Sequence, residues 1–150
     1  MQIKLVSFLL LSVLSWSLAA QKIKYKEIYP VLAAKQYDVG IPRLIEYMAI
    51  EENINEANAN LQMGLWLHER FMKLDDNESN QLTQIGDSAL FFLEKAKGLI
   101  DVKELKKKDD YYQSYLRRDL RSGKFLIKVS DVHLDIENKM DEIQKLMQSK

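Results

Sequence analysis

Residues 58–71, NANLQMGLWLHERF, carry the pattern that decides how this chain folds. Leu61, Gly64 and His68 recur at the spacing that places side chains on one face of a helix. A glycine inside a helix lowers its stability by about 1 kcal/mol relative to alanine. Such a glycine is expected where another helix backbone comes close. The stretch therefore predicts a helix of about residues 57–72 that packs tightly at Gly64.

The segment DSALFFLEKAKGLI, residues 87–100, supplies a surface that suits this glycine. Ala89, Leu93 and Ala96 share one face of a predicted helix, with a small residue on each side of a large one. Small residues let two helix backbones approach, and the large residue fills the space beside them. We therefore expect Gly64 to lie against Ala89 and Ala96.

Helical periodicity covers most of the remaining chain, and strand signals are nearly absent. Further helices are predicted for residues 24–35, 37–53, 101–122 and about 130–148, the last as a C-terminal capping helix. The polar segment of about residues 75–85 is expected to be a long loop, followed by a helix capped at Asp87 or Ser88. The prediction is an all-α fold of about six helices.

The N-terminus has the order of a secretory signal peptide. A lysine precedes an apolar run over residues 5–16, and small residues follow. The run is shorter than the roughly 20 residues of a membrane-spanning helix. We therefore expect cleavage of residues 1–20, after Ala19 or Ala20, rather than an uncleaved anchor. Residues 21–150 would form one exported domain that is periplasmic or associated with the outer membrane.

Composition and motifs give no sign of catalysis. The 22 basic and 22 acidic residues balance, which gives no general reason to expect nucleic acid as a partner. The absence of cysteine excludes disulfides, cysteine metal sites and a lipidated N-terminal cysteine. The two histidines, His68 and His133, lack the H-E-x-x-H spacing of a zinc site, and no serine lies in a nucleophile motif. We expect no enzyme activity, no metal, no cofactor and no small-molecule substrate.

The spacing around Gly64 resembles the tetratricopeptide repeat, a helix–turn–helix unit of about 34 residues. Met63 and Gly64 stand at the Leu-Gly pair of that repeat, and an earlier copy of its second helix places Gly40 and Leu44 at a small and a large position. The resemblance implies antiparallel helix pairs stacked as a short α-solenoid, with a plain helical bundle as the alternative. It implies repeat-packing roles for Gly40, Leu44, Met63, Gly64, Ala89, Leu93 and Ala96. The pattern departs from the repeat at Asn60, where an aromatic residue is usual, and at Asp101, where proline is usual.

A narrower resemblance covers nearly all of residues 21–150. The segments KYKEIYPVLAAKQYD, FFLEKAKGLID and DDYYQSYLRRDLRSGKF look like the N-terminal repeat region of Bacteroidota envelope proteins of the PorE-like, type IX secretion family. In that family the region precedes a β-propeller and an OmpA-like domain that binds peptidoglycan. The resemblance implies other envelope proteins as partners. No residues here match the OmpA-like domain, so peptidoglycan binding is not carried over.

Two sets of residues are candidates for partner binding. In tetratricopeptide repeats the first helix of each pair lines a concave groove, and this implies groove positions for Asn58, Leu61, Leu65, His68 and Glu69. The second set is Arg117, Arg118 and Arg121, which lie in a segment rich in tyrosine and lysine. Arginine and tyrosine supply much of the binding energy at protein interfaces. The same segment alternatively packs its tyrosines inward and pairs its arginines with neighbouring aspartates.

These expectations favour a non-catalytic protein–protein interaction scaffold of the bacterial cell envelope, linked to a secretion or OmpA-like assembly. Membrane contact would occur only through the signal peptide or a partner. The alternative is a small periplasmic helical chaperone or stress protein that binds unfolded clients. One stable partner would favour the scaffold, and many weakly selected clients would favour the chaperone.

Overall fold

A computed structural model describes residues 23–74 and 79–149, so the predicted signal peptide lies outside the described residues. Its α-helices are α1 (Tyr25–Ala33), α2 (Tyr37–Met48), α3 (Ala57–Phe71), α4 (Ser79–Leu99), α5 (Val102–Lys107) and α6 (Val129–Gln148). Two 3-10 helices, η1 (Glu51–Asn53) and η2 (Asp109–Tyr115), and two short strands, β1 (Arg117–Arg118) and β2 (Phe125–Leu126), complete the described elements. The predicted all-α fold is confirmed.

The helices pack as consecutive pairs. Helices α1 and α2 pack together across a short turn in which Lys35 has a positive φ of 56°. Helices α3 and α4 form the most extensive contact between described elements, and α2 touches α3, which joins the two pairs. Helix α6 packs on α4 and also touches α3. The order is that of a short solenoid of helix pairs closed by a C-terminal helix.

Gly64 lies at a close approach between α3 and α4. A Cβ atom at this position would lie 2.8 Å from both Cγ and Cδ2 of Leu93 and 3.1 Å from the Leu93 backbone nitrogen. The nearest neighbour of Gly64 is therefore Leu93, whereas the sequence predicts the flanking alanines, Ala89 and Ala96, in that place. Both alanines are fully buried in the same helix contact. The large residue occupies the space that the glycine leaves.

Gly40 makes the equivalent contact in the first pair. A Cβ atom there would lie 2.7 Å from Cδ2 of Leu32 in α1. Leu44, on the same helix, is fully buried, and Met63 in α3 is buried as well. Each of the two helix pairs thus has a glycine where a leucine of the partner helix comes close.

The predicted loop of residues 75–85 is helical over its described part. Helix α4 begins at Ser79, while residues 75–78 lie outside the described residues. The expected N-cap at Asp87 or Ser88 is therefore wrong, because both residues lie inside the helix. The cause is tertiary: Leu82 is buried, and a Cβ atom at Gly86 would lie 2.7 Å from Sδ of Met147 in α6. Packing against α6 therefore stabilises the helical conformation of a segment whose polar composition is typical of a loop.

Hydrogen exchange tests this extension of α4. We expect the amides of residues 83–88 to exchange about as slowly as those of residues 89–96, because both sets donate within one packed helix. The first three amides, residues 79–81, have no carbonyl partner within the helix and serve as fast-exchanging controls. Mass spectrometry or NMR would measure the rates. Exchange of residues 83–88 at the rate of an unfolded chain would contradict the helix.

The predicted helix of residues 101–122 is also wrong. It divides into α5, η2 and the first strand of a hairpin, and the breaks fall at Lys108 and Tyr112, whose φ angles of −136° and −122° are not helical. The break at Lys108 lets its Nζ atom reach Oε1 of Glu56 at 2.5 Å. The second break accompanies complete burial of Tyr112. Contacts with α3 and its N-terminal flank therefore override the helical propensity of the segment.

The C-terminal helix agrees closely with its prediction of residues 130–148. Val132, Ile136 and Ile143 on its apolar stripe are fully buried. None of the helices in residues 23–74 and 79–149 combines the length and apolarity needed to cross a bilayer.

Candidate interaction surface

The predicted groove on α3 is filled by the chain itself at its N-terminal end. Asn58 is fully buried: its Oδ1 atom accepts a hydrogen bond from the Tyr25 hydroxyl at 2.6 Å, and its Nδ2 atom donates to the Tyr111 carbonyl oxygen at 3.0 Å. Leu61 is buried as well. The expectation that Asn58 and Leu61 contact a partner is therefore wrong, because Tyr25 of α1 and Tyr111 of η2 already engage Asn58, and Leu61 is buried in the core.

The C-terminal half of the same face is engaged in the same way. His68 is buried, and its Nε2 atom lies 2.8 Å from Oε2 of Glu142 in α6. The predicted groove role of His68 is therefore also wrong. Leu65, which is half-buried, packs against the edge of the core.

Glu69 links the two helix pairs. Its Oε1 atom accepts hydrogen bonds from Lys35 Nζ at 2.6 Å and from the Tyr37 hydroxyl at 3.1 Å. Partial burial acts to raise the pKa of Glu69, but these hydrogen bonds and the charge of Lys35 outweigh it, so the pKa lies below its ordinary value. The groove position of Glu69 is thus taken by the turn between α1 and α2.

The arginine segment, in contrast, projects from the helical core as a hairpin. Strands β1 and β2 are antiparallel, with Arg117 opposite Leu126 and Arg118 opposite Phe125. Gly123, with a φ of +70°, occupies a left-handed conformation in the connecting turn. This hairpin was missed by the sequence interpretation, although the Ser-Gly pair at residues 122–123 is a recognisable turn signal.

Asp119 fixes the geometry of the turn. Its Oδ1 atom accepts hydrogen bonds from the backbone nitrogens of Arg121 (3.1 Å) and Ser122 (2.8 Å). Its other oxygen forms an ion pair with Lys128. The hydrogen bond from Lys128, followed by those from Ser122, holds the pKa of Asp119 well below its usual range. Both oxygens of the Asp119 carboxylate therefore already have partners, and the carboxylate is not available to the arginine side chains.

The outer residues of the hairpin form what we call the hairpin surface: Arg118, Leu120, Arg121 and Phe125. Leu120, in the turn, has 97% of its surface exposed, and Phe125 has 66% exposed. Within residues 23–74 and 79–149, neither Arg118 nor Arg121 forms a side-chain ion pair. The alternative expectation, that the arginines pair with neighbouring aspartates, therefore does not describe these two residues.

A cleft of about 960 Å³ lies between the hairpin and α6, and we call it the arginine cleft. Arg117, Arg118 and Arg121 all line it, so the structure brings the second predicted set of residues together. Arg117 is held in place, because its Nη1 atom donates to the carbonyl oxygens of Ser114 (2.8 Å) and Leu116 (2.9 Å). Leu134 of α6 also lines the cleft, with 57% of its surface exposed.

Two of the three carboxylates that line the arginine cleft already have partners. Asp119 is paired with Lys128. Asp135 accepts a hydrogen bond from the Tyr115 hydroxyl at 2.8 Å and is paired with Lys139 at 2.5 Å. Burial and the charge of Asp135 raise the pKa of Tyr115, so this hydroxyl stays protonated as a donor. Asp131 is the remaining carboxylate, and the cleft keeps an excess of positive charge.

An apolar groove lies on the opposite side of the hairpin. Its volume is about 640 Å³, and strand β2 lines it together with residues of α5 and the end of η2. Val102 and Leu116, which lie on its wall, are exposed. Strand β1 thus borders the arginine cleft and β2 borders the apolar groove.

Among the described residues, no group of three or more histidine, aspartate or glutamate side chains is placed to hold a metal ion. Comparisons of the chain with protein-family models, with curated proteins and with solved structures found no match.

Proposed function

We propose that this chain is a non-catalytic protein–protein interaction module of the bacterial cell envelope, and that the hairpin surface is where a partner docks. The observation that carries the proposal is the near-complete exposure of Leu120, at 97%, on a turn whose backbone donates hydrogen bonds to Asp119. Leu120 and Leu134 are exposed apolar side chains that line the arginine cleft together with the arginines, and the exposed Phe125 lies opposite Arg118 in the hairpin. Apolar surface rimmed by charged residues is typical of a protein contact.

The rigidity of the hairpin favours binding. A flexible loop loses conformational entropy when it binds, and this loss subtracts from the affinity. In this turn, hydrogen bonds to Asp119 and the ion pair with Lys128 already order the backbone. The helical pairs serve as the scaffold that presents the hairpin.

Export and envelope location are part of the proposal. They are supported by the signal-peptide order of residues 1–20. The relationship to tetratricopeptide repeats, and to the PorE-like envelope family, is likewise proposed. It is supported by the order of helix pairs and by the seating of Leu93 against Gly64. The partner would then be another protein of an envelope or secretion assembly.

Site-specific photo-crosslinking tests the docking surface. We expect p-benzoylphenylalanine in place of Leu120 to give one discrete adduct in cells that express the chain naturally. Phe125→Ser in the same chain should lower the adduct yield, because it removes adjoining apolar contact. The matched control carries the crosslinker in place of Val39 of α2, which is 56% exposed and distant in sequence from the hairpin. Equal adducts from positions 39 and 120 would contradict the proposal.

The chaperone alternative has one observation in its favour, the apolar groove beside β2. A chaperone binds many unfolded segments, so crosslinks from position 120 would spread over many clients of unrelated mass. Crosslinks to a single partner support the interaction module. A broad distribution of adducts that disappears when clients are folded would support the chaperone.

A further inference from the structure

We infer that the arginine cleft binds an extended, acidic segment of a partner protein, with glutamate or aspartate side chains at the arginines and an apolar side chain between Leu120 and Leu134. The inference rests on the proposed function and adds the chemistry of the partner. It follows from the charge, the shape and the side chains of the cleft.

The charge of the cleft sets the sign of its ligand. The negative charge of Asp119 is cancelled by Lys128, and the negative charge of Asp135 is cancelled by Lys139. Three arginine charges then face Asp131, the one cleft carboxylate that has no ion pair with another residue of 23–74 or 79–149. An anionic ligand is attracted to this excess, and an acidic side chain completes the hydrogen bonding of the guanidinium groups.

Arginine suits carboxylates in particular. Its planar guanidinium presents a fork of donors that matches the two oxygens of a carboxylate, whereas lysine acts as a point charge. Arg117 is already held by hydrogen bonds to two carbonyl oxygens, so it loses little conformational entropy on binding. Strand β1 carries Arg117 and Arg118 along the cleft, and an extended segment beside β1 would meet both.

The shape of the cleft favours a peptide over an anionic membrane. Leu134 and Asp131 belong to α6, on the side of the cleft opposite the hairpin. A flat bilayer that reached Leu120 would contact the hairpin but would not enter the cleft to reach Leu134. A narrow peptide chain can place carboxylates at the arginines and an apolar side chain on Leu134.

Binding of defined peptides tests the inference. The probe is a short fluorescent peptide that alternates glutamate with leucine, and the comparison peptide replaces glutamate with glutamine. We expect fluorescence anisotropy to show binding of the acidic peptide that is tighter by on the order of tenfold, since charged hydrogen bonds exceed neutral ones. This preference should weaken as salt is added. Equal affinity for the two peptides would overturn the inference.

Charge reversals locate the site. The double variant Arg118→Glu/Arg121→Glu should weaken binding of the acidic peptide by on the order of tenfold or more. The matched control, Lys26→Glu/Lys145→Glu, makes the same change in net charge at exposed residues of α1 and α6 outside the cleft. Equal losses in the two double variants would show a nonspecific charge effect and would overturn the inference.

Leu134→Ser separates a peptide from a membrane. Because Leu134 is largely exposed, the substitution should leave the fold intact and lower peptide affinity. Sedimentation with phosphatidylglycerol vesicles is the second arm, and binding to vesicles without preference for the acidic peptide would overturn the inference in favour of a membrane.

If position 120 crosslinks to one partner but the peptides bind equally, only the acidic ligand is wrong. If position 120 also gives no specific adduct, the proposed function fails as well.

Discussion

Gly64→Leu is expected to lower the free energy of unfolding by about 3 kcal/mol, through overpacking of the contact between α3 and α4. Even a Cβ atom at this position would lie 2.8 Å from two Leu93 atoms and 3.1 Å from the Leu93 backbone nitrogen. The side chain of Leu93 is fully buried, so it has little room to move away. Urea denaturation followed by circular dichroism measures the change.

Gly98 provides the matched control for this substitution. It lies in α4, and nothing lies within 4 Å of a Cβ atom built there. Gly98→Ala should therefore raise stability by up to about 1 kcal/mol, because alanine favours the helix and no contact opposes it. Gly64→Ala has the same gain in helix propensity but meets Leu93, so it should be less stable than the unchanged chain. Equal effects of alanine at the two glycines would show that α3 and α4 are not in close contact at Gly64.

Asn58→Leu should also destabilise strongly, by about 3 kcal/mol. The substitution removes the acceptor of the Tyr25 hydroxyl and the donor to the Tyr111 carbonyl oxygen, and a buried polar group without a partner costs about 1–3 kcal/mol. The Tyr25 ring is buried, and burial followed by the charge of Glu56 raises the pKa of its hydroxyl well above the ordinary value. Chemical denaturation, with tyrosine fluorescence as the probe, measures the loss.

Two further variants show whether the loss comes from these hydrogen bonds. Asn138→Leu changes an exposed asparagine of α6 and should alter stability by less than about 0.5 kcal/mol. The double variant Tyr25→Phe/Asn58→Leu should lose less than the sum of the single variants, because the tyrosine hydroxyl that lacks a partner is gone. Unchanged stability of Asn58→Leu, with weaker partner binding, would restore the groove role that the sequence predicted.

The helices with strong apolar periodicity were predictable from the sequence. Helix α3 was expected over residues 57–72 and spans Ala57–Phe71, and α6 was expected over residues 130–148 and spans Val129–Gln148. In both, the pattern of buried residues is local and repeats every three or four positions. The contact of Gly64 with α4 could also be inferred, because a glycine destabilises a helix and is favoured where another backbone comes close.

The errors have one physical cause in common, which is contact between segments distant in sequence. Residues 79–85 have the composition of a loop, yet Leu82 is buried and the adjoining Gly86 lies against Met147, and these contacts hold the segment in α4. Residues 101–122 have the composition of a helix, yet Lys108 leaves the helical conformation and its Nζ atom contacts Glu56. The free energy of these tertiary contacts exceeds the free-energy differences that local helix propensity provides.

The sequence by itself determined that the chain is helical and that Gly64 lies at a helix contact, because periodicity and glycine cost are local properties. It also singled out Arg117, Arg118 and Arg121 as a candidate contact. Only the tertiary structure decided which candidate surface stays accessible. Asn58 and His68 are buried by η2 and α6, whereas the arginines line a cleft beneath a hairpin that Asp119 holds. Burial depends on which distant segments cover a face, and spacing along one helix does not contain that information.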